Sequence, residues 1–113
     1  MTNDEIIARW RGWERKDGWW VSRDGRGELW VVSILLWVPS LDIAPWHGEG
    51  GLLKEIERKG IAGDFYKAVG RLVAPDIARQ SIQAAVAIGW RILQATPAQL
   101  TEALVALIKE GGG

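Results

Sequence analysis

The chain has 113 residues, with fourteen basic and fourteen acidic side chains, one histidine and no cysteine. That length suits one domain, residues 1–113 with 111–113 as a frayed tail, and is too short for two cores. Balanced charge leaves no electrostatic footprint for direct DNA binding, and the lack of cysteine excludes disulfides, thiolate nucleophiles and Cys-based zinc or iron–sulfur sites.

The start, Thr2-Asn3-Asp4-Glu5, carries no apolar signal core, so neither a secretory nor a membrane-spanning segment is expected there. It reads instead as a helix start, with Thr2 as cap and Glu5 three residues on. Ile6, Ile7, Trp10 and Trp13 recur at helical spacing, Arg9, Arg11 and Glu14 take the other side, and Lys16-Asp17-Gly18 ends the segment. Trp19 to Arg23 reads as a strand and Asp24-Gly25-Arg26-Gly27 as a turn. It leads into Glu28 to Val38, an apolar run read as a strand covered on both faces and as the element that organises the chain.

Residues 39–51 form the main irregular segment, with Asp42, Pro45, Trp46, His47, Glu49 and three glycines. In its plainer reading the loop turns the chain off the sheet, Trp46 plugs the core edge and His47 is solvated. In its sharper reading Trp46 is an apolar wall, while His47 and the backbone N–H groups of Gly48 to Gly51 meet an anionic or planar ligand. The plainer reading is preferred, because short motifs match by chance.

Leu52 to Gly60 predicts a helix with Leu52, Leu53 and Ile56 inward and Gly60 as its stop. Asp64 to Val73 predicts another, with Phe65, Ala68, Val69 and Leu72 on one face. Asp76 is read as the cap of the longest helix, Ile77 to about Gln94, which is apolar nearly all round beyond Ser81 and so belongs in the middle of its domain or at a subunit interface. Thr96-Pro97-Ala98-Gln99 combines a cap, a proline at the first helical position and a reciprocal glutamine. It starts a last helix with Leu100, Ala103, Leu104, Leu107 and Ile108 inward. The expected fold is α+β: a small antiparallel hairpin or sheet packed against an N-terminal helix and three to four further helices.

The search for chemistry yields no catalytic residues. Ser40, His47 and Asp42 can be composed into a relay but lack a nucleophile-elbow sequence. Asp42 and Glu49 are carboxylates with nothing to bring them together. Neither a His-Glu-x-x-His nor a calcium-loop spacing is present, so no metal and no cofactor are expected. Aromatic usage is unusual, with eight tryptophans against one tyrosine and one phenylalanine. Such rings serve a core, an interface or a stacking pocket.

The segments Asn3 to Glu14 and Trp90 to Gln99 resemble small proteins of the phage ABA-sandwich family, whereas the middle departs from that pattern by reading as helix. The resemblance implies a phage accessory protein with a helix-and-sheet sandwich and no transferable catalytic residue. The expectation is therefore non-enzymatic binding in the host cytoplasm, blunting a host defence by sequestering a small nucleotide-like signal in a homo-oligomer. Arg9, Trp10, Arg11, Trp46, His47 and Glu49 are the ligand-binding candidates, the rings stacking on a base and the arginines meeting phosphate. The rival expectation is a protein–protein inhibitor of a host enzyme or nucleic-acid-processing complex.

Overall fold

The computed structural model describes residues 2–16, 19–23, 29–32, 39–77 and 81–111. Five helices carry the architecture: α1 (Asn3–Trp10), α2 (Leu52–Arg58), α3 (Ala62–Val73), α4 (Ile82–Leu93) and α5 (Pro97–Lys109). Helix α5 lies at the centre, packed on α1 and α3, while α4 and α2 pack on α3. The core cluster takes Ile7 from α1, Trp46 from a short 3-10 turn (Ala44–Trp46), and otherwise side chains of α2, α3 and α5 with Ile61 between them. No described helix is long and apolar enough to cross a membrane.

This corrects the α+β expectation. The core is that of a small helical globule, because every residue of the described core cluster lies on a helix or a helix connection. Strands β1 (Glu14–Lys16), β2 (Trp19–Arg23) and β3 (Leu29–Val32) pair antiparallel, β2 between the other two, with Val21 opposite Glu14 and Val31. The described residues have a radius of gyration of 15.3 Å and extents of 50 × 25 × 25 Å, longer than the ~13 Å radius of a compact chain of this length. Of the long apolar run, residues 28 and 33–38 lie outside the described residues, as does the 24–27 turn. Among the described residues the core is organised around α5.

Local chemistry explains where helices start and stop. Thr2 caps α1 by accepting from the Glu5 N–H at 3.2 Å. The helix then ends at Trp10, earlier than its apolar spacing predicts, because Gly12 adopts φ +84°. The Trp13 N–H donates to the Ala8 carbonyl and Gly12 N–H to that of Arg9, a closed Schellman turn that sends Glu14 into a strand. Gly60 (φ +74°) ends α2 the same way, with Ile61 folded back on Ile56 in the core. Thr96 and Gln99 form the expected reciprocal cap of α5. Asp76, in contrast, does not cap α4: that helix starts at Ser81, whose hydroxyl accepts from the Ala84 N–H at 3.0 Å, and the Asp76 carboxylate pairs with Arg91.

Of the two places expected for the apolar helix α4, it does not take the middle of its domain. Within one chain it buries only Ile88, leaving Ile82, Val86, Trp90 and Leu93 between 63 and 85 % exposed.

Candidate functional site

The 39–51 segment is built around Trp46. Asp42 accepts from the Ala44 N–H at 3.1 Å and Pro45 sets the next turn, which aims the indole inward. Trp46 is fully buried, donates its Nε1–H to the Pro39 carbonyl at 3.0 Å, and stacks on Phe65 with centroids 6.0 Å apart. Ser40 fastens the segment to α1 by donating to Asp4. The close is equally tight at Gly51, where a Cβ would come within 2.4 Å of the His47 carbonyl oxygen. Only glycine fits there.

This loop and the helices beside it enclose an apolar groove of about 570 Å³. Its floor is Ile56, Phe65, Val69 and Leu100, all core residues, with Leu53 and Ile92 on the walls. Ile43, Tyr66 and Leu93 form an exposed rim, and His47 and Glu57 are the remaining polar groups along it. No arginine or lysine lines it among the described residues. The volume falls in the range of small-molecule and side-chain pockets.

The predicted site residues do not come together around this groove. His47 lines it, exposed at its edge. Trp46 lies behind it as core, with its ring committed to Phe65. Arg11 is committed too: its Nε donates to Glu55 Oε1 at 3.2 Å, its Nη2 to the Gly50 carbonyl at 2.7 Å, and its guanidinium sits 4.5 Å from the Trp13 ring centre. Lys59 stacks over Trp10 at 4.8 Å. Glu49 is exposed and its carbonyl accepts from Arg58. Arg9 is exposed on α1. Cations therefore meet loop carbonyls at residues 49 and 50, and the Gly51 N–H is already donated to Gly48. Nor do Ser40, Asp42 and His47 form a relay, since the first two are bonded elsewhere. No group of three His, Asp or Glu side chains that could hold a metal occurs among the described residues.

Sequence reasoning passed over Ile43 and Leu93 and gave Tyr66 little weight. The available signal was the excess of apolar residues on α4, more than one buried face requires. Comparison with protein families, with curated proteins and with solved structures finds no match to the chain.

Proposed function

We propose that the chain is a non-enzymatic interaction protein whose groove seats apolar side chains of a protein partner. The observation that carries this reading is the groove itself: an apolar floor, an exposed apolar rim and no cation among its described lining residues. Such a lining suits an amphipathic helix laid into a hydrophobic groove better than a nucleotide, whose phosphates call for arginine, lysine or a helix N-terminus. The resemblance to phage ABA-sandwich proteins supplies the setting, a phage accessory protein in the host cytoplasm acting on a host enzyme or complex. Sequestration of a nucleotide-like signal is the weaker reading here, because Trp46 and Arg11, two of its leading residues, are occupied by internal contacts.

The groove is tested with the fluorescent apolar probe anilinonaphthalene sulfonate. Wild-type protein should take it up with a blue shift, Ala62→Trp, at a residue of α3 that also lines the groove, should abolish that component, and ATP or GTP should not compete. Competition by a nucleotide would revive the sequestration reading. Uptake indifferent to Ala62→Trp would remove the groove.

A further inference from the structure

The outer face of α4 has no partner among the described residues. Ile82, Val86 and Trp90 are spaced four residues apart and Leu93 follows three later, which places all four on one side of the helix. Together they expose roughly 600 Å² of apolar surface, at the top of the range for the largest patch on a monomer. Around Ile82, Gln83, Val86, Ala87 and Trp90 the surface is hollowed into an open furrow of about 470 Å³. We propose that a second copy of this chain covers this face, α4 against α4 about a two-fold axis passing near Val86.

Three features select a second copy over another protein. First, α4 carries one charged residue, Arg91, and it is paired with Asp76. The stripe itself is neutral, so it meets its own image without like-charge repulsion and offers no charge for a different partner to read. Second, Ile82 and Trp90 stand symmetrically four residues either side of Val86. An antiparallel pair then sets each Trp90 over the other copy's Ile82 and Gln83, filling the furrow, while small Ala87 lets the helices approach. This self-complementary arrangement is what an isologous interface requires. Third, covering Ile82, Gln83, Val86, Ala87 and Trp90 on both copies buries about 1,000 Å², the threshold for a specific interface, while Leu93 lies beyond the overlap of the two helices.

Leu93 belongs both to this stripe and to the groove rim. The dimer therefore borders the groove without filling it, and the two can fail independently.

The test exploits the absence of cysteine from the chain. Sedimentation equilibrium of wild-type protein should give twice the 12.5 kDa chain mass, and Val86→Glu should raise the dissociation constant at least tenfold with the helical circular dichroism retained. In an independent arm, Val86→Cys, next to the axis, should form a disulfide-linked dimer on mild oxidation, whereas Glu102→Cys on the exposed side of α5 should not. The cross-link decides alone if Val86→Glu fails to fold. A wild-type monomer up to its solubility limit overturns the proposal. So does a dimer that Val86→Glu leaves intact, or cross-linking of the Glu102→Cys variant as readily as of Val86→Cys. A monomer whose α4 face is protected only when a different helical protein is added also overturns it.

Discussion

Helices α4 and α5 are nearly the same length and both rich in Ala, Ile, Leu and Val, yet α5 buries six residues and α4 one. Position in the chain explains the difference better than hydrophobicity does. Helix α5 is pinned at its start by a reciprocal cap and touches both α1 and α3, so its two flanks are covered. Helix α4 packs chiefly on α3, whose Val73 carbonyl accepts from Arg91. The same contrast appears in the ion pairs. Arg11–Glu55 sits in the core region with side chains 9 % and 14 % exposed, whereas Arg91–Asp76 at α4 is 42 % and 65 % exposed. An apolar helix without a second neighbour is a surface, whatever its composition.

The comparison breaks most visibly on truncating matched leucines. Leu104→Ala on α5 should cost about 3 kcal/mol in urea unfolding, the loss of a buried side chain plus its cavity. Leu93→Ala on α4 should cost under about 0.5 kcal/mol in the monomer. Equal losses would mean that α4 is covered within the chain.

Next in size are the ion pairs. Arg11→Ala leaves the Glu55 carboxylate largely buried, with Oε2 already lacking a partner among the described residues, and frees the Gly50 carbonyl. It should cost about 2–3 kcal/mol, somewhat less than the full cost of breaking a wholly buried pair. Arg91→Ala should leave the unfolding midpoint unchanged, because an exposed pair is screened. The double variant Arg11→Met, Glu55→Met should recover most of the loss.

How much of this was legible follows from the range of the interactions. The Thr96 cap, the Gly60 stop and the inward stripe of α5 are set by residues within four positions of one another, and the sequence shows them directly. The early end of α1 rests on Gly12 alone, and helical spacing continued through Trp13 to mask it. Asp76 looked like a cap because acidic residues before apolar runs often are; its partner, Arg91, lies fifteen residues on. The described core cluster is filled by helices whose separate stripes converge only in three dimensions, which the sequence does not show. For the same reason Trp46, His47 and Arg11 could be named from the sequence, but not sorted into core, groove edge and loop clamp.

A smaller effect sharpens the contrast from inside α5. Thr101 is buried, and its hydroxyl finds no partner among the described residues. Thr101→Val keeps the shape and removes a desolvated polar group, so it should stabilise by about 1 kcal/mol. The matching change on the exposed side, Ser81→Val at the start of α4, should instead lose the cap to the Ala84 N–H and cost about 1 kcal/mol. Opposite signs for two hydroxyl removals are the expected result of equilibrium unfolding, and a loss at both sites would show that Thr101 does have a bonding partner.

The smallest effect is electrostatic and belongs to α4. The Asp76 carboxyl is held below its ordinary value of 3.8, chiefly by the hydrogen bond from Arg91 and then by a backbone hydrogen bond. A depressed folded-state value means that the contribution is complete above the unfolded value and is lost as pH falls through the folded one, so the window lies below about pH 4. The group is largely exposed, so salt should weaken the effect. Titration of the side-chain carboxyl resonance by NMR should give a midpoint under 3.8 in low salt, rising on Arg91→Gln. A midpoint that Arg91→Gln leaves in place would show that this pair does not persist in solution, and with it would go the neutrality of the α4 face on which self-association depends.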